Sequence, residues 1–217
     1  MIIIEPSAAI VHPQEEDGVE TLRFIESAAR VSHKSEEAQT EDSWRRFLQA
    51  VVIERGDWSV VEHAGASVLF RVDRGITHEL VRHRLFSYTQ ESTRFVNGQK
   101  SYPEGLEFIK PQELKVQSWW RDSLVSSERE YFELLKDGVR PQEARSVLPN
   151  ALASTIMMTG NFRSWRHFFL MRTTRESHPD MRRVTIPLLA QFKERIPLLY
   201  DDIEANARQI DNLKKAK

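Results

Sequence analysis

Between Ala66 and Val72 the side chains alternate, with Ala66, Val68, Phe70 and Val72 sharing one face. A period of two is the mark of a half-buried strand, and a strand must find hydrogen-bonding partners in a sheet. An all-helical fold is therefore excluded. Asp73-Arg74-Gly75 then turns the chain into a helix over residues 75–81, and this helix leads into a stretch of the opposite character. Arg82-His83-Arg84-Leu85-Phe86-Ser87-Tyr88-Thr89-Gln90-Glu91-Ser92-Thr93-Arg94 packs three arginines, a histidine and several hydroxyl and amide groups into thirteen residues. Such a stretch is a poor core and a good cradle for phosphates, because each guanidinium offers donors in a planar fork that fits anionic oxygens two at a time.

Arg82, His83 and Arg84 are expected to emerge at the C-terminal end of the helix, where the dipole favours cations. From Phe86 onward the apolar pattern loosens, and Asn97-Gly98 signals a turn. Ser92 and Arg94, two residues apart, share a face if the loop runs extended. Taken alone, a charge run of this kind most often faces water.

Elsewhere, Ile2-Ile3-Ile4 forms a short strand. Asp17–Val31 forms a helix with Val19, Leu22, Ile25, Ala28 and Ala29 on one side, and residues 34–42 form a loop. Trp44, Phe47, Leu48, Val51 and Val52 mark a second amphipathic helix, stopped at Gly56-Asp57. Pro111 is expected to open a long helix to about Lys136, closed by Gly138, with Tyr131, Leu134 and Leu135 in its buried stripe. Pro141 starts a short helix that ends at Pro149. Ala151–Thr159 is apolar, and periodicity leaves it open between strand and helix. Asn161–Arg172 and a segment from Pro179 or Asp180 through Phe192 are helices, and the tail from Leu198 is polar helix or frays. One small sheet among several helices gives an α+β class. No Gly-rich dinucleotide fingerprint follows a strand.

The chain of 217 residues, 40% hydrophobic, is long enough to bury a sizeable core, and a single domain, 1–217, is expected. The formal charge of -1 argues against a general nucleic-acid coat. It is nevertheless segregated: residues 13–43 are acidic, whereas residues 160–185 carry Arg163, Arg166, His167, Arg172, Arg175, His178, Arg182 and Arg183 against Glu176 and Asp180. That pattern suits a small anionic ligand. There is no cysteine, so disulfides, thiolate metal sites and cysteine nucleophiles are all excluded. No apolar run is long enough to span a membrane. Met1–Ile4 lacks a basic leader and is followed at once by Glu5-Pro6, so it is expected to be a strand and not a signal peptide, with a cytoplasmic location.

The helix over 161–172 has Phe162, Trp165, Phe169 and Leu170 spaced for a buried face, with Arg166 in water. Asn161, Arg163, His167 and Arg172 line the same helix with amide, cation and imidazole groups. These groups serve equally as a ligand site or an interface.

The spacing Arg82-His83-Arg84, seven residues, Ser92, one residue, Arg94 resembles the signature of the flavin-dependent thymidylate synthases, the thymidylate synthase-complementing proteins. Further blocks resemble that family in order: Ala29-Arg30-Val31-Ser32, Gly56-Asp57-Trp58-Ser59 with Glu62-His63, Glu143-Ala144-Arg145 with Val147-Leu148-Pro149, and Asn161 with Arg163 and Arg172. Together they span about residues 28–182. The resemblance implies that Ser59, Arg82, His83, Arg84, Gln90, Asn161, Arg163 and His167 touch FAD. It also implies that Glu79, Arg82, Gln90, Glu91, Ser92, Thr93, Arg94, Arg145 and Arg172 hold dUMP, with Arg94 and Arg145 on the phosphate and Arg172 on the pyrimidine as the catalytic group. The implied reaction is reductive methylation of dUMP to dTMP, with methylenetetrahydrofolate as carbon donor and NADPH as reductant. A homotetramer is implied as well, in which neighbouring subunits complete each site, with no metal, nucleic acid or membrane involved.

Three positions depart from the family pattern. Asp57 stands where a flavin-facing His is common, His167 where some members have Asn, and Gln90 where some have Glu. Ser92 invites a nucleophile's role, but no base lies at a fixed offset, and its spacing to Arg94 suits a phosphate or sugar contact. The competing reading is a nucleotide- or nucleic-acid-binding module without chemistry, using the basic helical region 161–183 with Trp165 and Phe168 for stacking.

Overall fold

In a computed structural model, residues 1–14, 18–96 and 101–214 are described. Strand β1 (Ile2–Ile4) is followed by β2 (Ser7–His12), helix α1 (Gly18–Arg30), and α2 (Ser43–Leu48), which runs on into a π-helical segment, Gln49–Glu54. Strand β3 (Gly65–Asp73) leads into α3 (Arg74–Leu80), and then come β4 (Ser87–Gln90) and β5 (Glu107–Ile109). Helices α4 (Ser118–Lys136) and α5 (Pro141–Ala144), strand β6 (Ala153–Asn161), and helices α6 (Phe162–Arg172), α7 (Pro179–Arg195) and α8 (Gln209–Lys214) complete the order. The α+β class is thus observed. The sheet is divided in two, a parallel pair β1-β5 and a four-stranded sheet in the order β2-β3-β6-β4.

The chain forms two compact units, Met1–Ser7 with Phe70–Arg82 and Thr89–Ile156, and Ala8–Leu69 with His83–Tyr88 and Met157–Lys217. In the first unit β1 pairs with β5 through Ile2–Glu107, Ile3–Phe108 and Ile4–Ile109. Its core gathers Leu106, Phe108, Leu124, Tyr131, Ala144 and Leu152. In the second unit Trp165 is fully buried among Phe86, Phe168, Phe169 and Phe192, with ring centroids 5.0–5.9 Å away. Rings of this size each contribute on the order of 2–3 kcal/mol through burial, and their edge-to-face contacts fix the faces of α6 and α7.

Local sequence explains the element boundaries. The Asp73 carboxylate accepts the Ile76 amide at 3.0 Å and caps α3, and Asn161 Oδ1 accepts the Ser164 amide at 2.8 Å and caps α6. The expected alternation in β3 is observed, with Ala66, Val68, Phe70 and Val72 buried. Ala151–Thr159, open between strand and helix from sequence, lies mostly in strand β6, whose sheet neighbours supply the pairing that periodicity could not reveal.

Several expectations are corrected. The long helix starts at Ser118 and not at Pro111, where the chain instead makes a turn closed by the Leu114 amide on the Pro111 carbonyl. Ser87–Gln90 is a strand, although its alternating exposure is polar on both sides. Thr93–Phe95 is a turn and not extended, because the Phe95 and Val96 amides both donate to the Ser92 carbonyl (3.2 and 2.9 Å). On α1, Val19 is exposed, and the buried face instead includes the ion pair of Glu26 with Arg30, 2.7 Å apart. Arg166 is buried, with two bonds to Asp202 (2.7 and 2.6 Å) and its guanidinium 4.2 Å from the centre of the Trp58 ring. Leu199, Tyr200 and Ile203 in the tail are core residues. The turn expected at Asn97-Gly98 lies outside the described residues.

Candidate active site

The first unit carries Arg82, Gln90, Ser92, Thr93 and Arg94 of the signature stretch. Arg145, exposed at the end of α5, donates to Thr93 Oγ1 at 3.2 Å and so stands beside the Ser92–Phe95 turn. Ser92 Oγ accepts the Arg94 amide at 3.3 Å, and the Arg94 guanidinium lies 5.2 Å from the centre of the Phe95 ring. An arginine, a serine and a threonine on one short turn thus have the Arg145 guanidinium beside them, a donor set that suits a phosphate dianion. Gln90 points its amide nitrogen to Thr77 Oγ1 and Ser154 Oγ (3.0 and 3.1 Å), which leaves its carbonyl as the acceptor end. Glu79 is half-buried on α3, and Arg82 is exposed just beyond it.

The second unit carries most of the residues expected at a flavin. His83 Nε2 accepts a 2.7 Å hydrogen bond from Arg172 Nε, so the imidazole keeps its proton on Nδ1. Burial first, then electrostatic interaction with Arg172 and His167, depresses the His83 pKa to about 4. The imidazole stands edge-on to Phe168 at 4.9 Å. The Tyr88 hydroxyl, whose pKa burial raises to about 12, donates to the His83 carbonyl at 2.6 Å and fixes the loop's backbone. Thr185 Oγ1 does the same for the Arg172 carbonyl at 2.8 Å. Arg163 pairs with Glu62 at 2.6 Å, and Arg84 and His167 are exposed.

Ser59 lines a separate cavity of about 220 Å³ in this unit, together with Ser32, His33, Phe47, Arg55 and Asp57. Asp57 is paired with Arg55 at 2.7 Å. His33 brings an imidazole to the same cavity, and no sequence pattern singled it out. Sequence reasoning also missed Arg71, the centre of a half-buried polar network in the first unit. Its partners lie 20, 36 and 84 residues away, beyond any local pattern. Among the described residues no cluster of His, Asp and Glu is arranged to hold a metal, and no helix is long and apolar enough to cross a membrane.

Exposed guanidinium forks beside hydroxyls in one unit, and a neutral histidine holding an arginine in the other, define a nucleotide-handling α+β protein. The chain belongs to the flavin-dependent thymidylate synthase family: the family profile described as thymidylate synthase complementing protein matches residues 18–198. The flavin-dependent thymidylate synthase of Corynebacterium aurimucosum is 33% identical over 204 residues, covering 87% of this chain and 82% of that protein. The one from Mycobacteroides abscessus is 34% identical over 205 residues, covering 83% and 79%. Among solved structures, thymidylate synthase X of Helicobacter pylori with FAD and dUMP has a TM-score of 0.72 at 17% identity, covering 92% of this chain and 99% of that one. The UMP/dUMP methylase PolB of Streptomyces cacaoi, bound with 5-Br dUMP, has a TM-score of 0.73 at 21% identity, covering 93% and 96%.

Proposed function

We propose that this protein converts dUMP to dTMP, with 5,10-methylenetetrahydrofolate as one-carbon donor, NADPH as reductant and FAD as the working cofactor. The observation that carries the proposal is the Arg172–His83 hydrogen bond, which joins two family blocks 89 residues apart. The donor set of the second unit fits the group: Arg84, Arg163, Asn161 and Ser59 offer charged and neutral donors, and the cavity at Ser59 has both apolar and hydroxyl walls. Bound there, FAD would supply the hydride chemistry between the reductant and the pyrimidine.

The protein's own share is placement and electrostatics. Arg172, oriented by an uncharged His83, presents its positive charge to the N3/O2 edge of the pyrimidine, where negative charge builds in the transition state. Arg94 and Arg145 hold the phosphate, with Ser92 and Thr93 as neutral donors beside them. Ser92 acts in binding, in keeping with its hydroxyl's contact to the Arg94 amide. With no cysteine in the chain, C6 of the pyrimidine is not activated by a protein thiolate. A homotetramer in the cytoplasm, with neighbouring copies completing each site, belongs to this reading. A base-stacking module is disfavoured, because Trp165 and Phe168, its stacking residues, are fully buried.

The test is the visible spectrum of the purified protein, followed without oxygen as NADPH is added with and without dUMP. A flavin spectrum that bleaches with NADPH and responds to dUMP is expected. A protein that stays colourless after incubation with FAD overturns the proposal.

A further inference from the structure

Glu91 opens the turn that carries Ser92, Thr93 and Arg94, yet its carboxylate is turned into the first unit and is largely occupied there. Oε2 accepts from Arg71 Nη1 at 2.9 Å and from the Thr155 amide at 3.2 Å, and Oε1 accepts the Tyr102 hydroxyl. A carboxylate has about four acceptor sites, so three of them are engaged within the protein. The Glu91 amide in turn donates to the Thr155 carbonyl at 2.8 Å, which ties the residue to β6 by backbone as well as side chain. Arg71 spreads its fork: Nη1 also reaches Thr155 Oγ1 at 2.8 Å, and Nη2 pairs with Glu107 on β5. Arg71, Glu91 and Glu107 are each 29% exposed or less at the side chain.

We infer that Arg71 is a positioning residue for nucleotide binding, acting through Glu91 and Tyr102, and that Glu91 braces the Ser92–Arg94 turn without itself contacting the substrate. The inference rests on the dUMP reading of that turn and deepens it. The physical reason lies in the geometry of the guanidinium. One planar, permanently charged fork bridges two carboxylates, Glu107 on β5 and Glu91 just after β4, whereas a lysine ammonium is a point charge on a flexible stem and does not hold both. Because these charges are partly withdrawn from water, losing the bridge frees Glu91 to turn toward solvent, and the turn moves with it. A phosphate held by Arg94 and Arg145 is sensitive to such a shift, since each hydrogen bond to it weakens steeply with donor–acceptor distance and angle.

Three full-length variants, Arg71→Lys, Arg71→Met and Tyr102→Phe, test this against wild type. Tyr102→Phe removes one hydroxyl and keeps the ring in the core, so it remains informative should the Arg71 variants fail to fold. The first readout needs no nucleotide: amide hydrogen exchange at Phe95 and Val96, whose amides close the turn on the Ser92 carbonyl. Faster exchange there is expected in all three variants, least in Tyr102→Phe. The second readout is dUMP affinity and the KM against kcat split. A rise of roughly tenfold in KM for dUMP is expected, with kcat within about twofold and FAD affinity unchanged.

Unchanged exchange in folded variants overturns the inference, and so does loosened exchange with wild-type KM. If the wild-type protein binds FAD but not dUMP, the dUMP reading fails, and the positioning role fails with it. The exchange data then show separately whether the brace itself exists.

Discussion

Burial, reinforced by electrostatic interaction with Arg172 and His167, keeps His83 neutral down to about 4. An unfolded histidine titrates near 6.5, so between the two values the unfolded chain binds the extra proton and the folded one does not. The contribution of His83 to stability is therefore fully present above about pH 6.5 and is lost as pH falls toward 4. Urea unfolding between pH 7.5 and 4.5 is expected to show falling stability, and His83→Gln, which retains an acceptor for Arg172, is expected to flatten the slope. An equally steep slope in the variant contradicts the assignment. For Arg172→Ala, weaker dUMP binding and a loss of roughly 10²–10³ in kcat are expected. Arg172→Lys is expected to recover little, because it lacks the Nε that reaches His83. Steady-state kinetics with a dUMP titration check both variants, and wild-type values in Arg172→Ala refute the role.

At the scale of elements, Asn161 Oδ1 caps α6, and the proposed FAD contact falls to the amide nitrogen at the other end of the same side chain. Asn161→Ala is expected to cost about 1 kcal/mol in stability together with FAD affinity. Asn161→Asp keeps the cap and is expected to lose FAD affinity alone. Denaturant midpoints and flavin titration separate these outcomes, and unchanged affinity in both variants removes Asn161 from the cofactor set. Next to it, Gly160 leaves room for the Phe86 ring. A Cβ at this position would lie 2.4 Å from two ring carbons, and that ring already packs against Trp165 at 5.0 Å. Gly160→Ala is expected to destabilise by roughly 1–3 kcal/mol. Its thermal unfolding measures the cost, and a melting temperature equal to wild type shows that the ring has room to move.

At the scale of the molecule, a cofactor that binds only the folded chain must raise its stability. FAD at about a hundred times its Kd is expected to add roughly 2.7 kcal/mol. Unfolding followed with and without FAD checks this, and an unmoved midpoint argues against specific flavin binding. Local periodicity and side-chain chemistry were legible before any coordinates. They set strand β3 by its alternation and α6 by its buried face, the two N-terminal caps lie within three residues of their targets, and the absence of cysteine excluded thiolate chemistry. The order of the family blocks was equally legible, because residue types at fixed spacing need no coordinates. Which groups meet was set by packing alone. Ser87–Gln90 became a strand because a neighbouring strand satisfied its backbone, although no apolar alternation marks it. Glu91 and Arg71 found each other across 20 residues, and Arg172 found His83 across 89. Contacts at such separations come from the packing of whole elements, which also withdrew Trp165 and Phe168 from solvent. Local pattern carries no record of that packing, because the energy that fixes these partners is released only when the core closes around them.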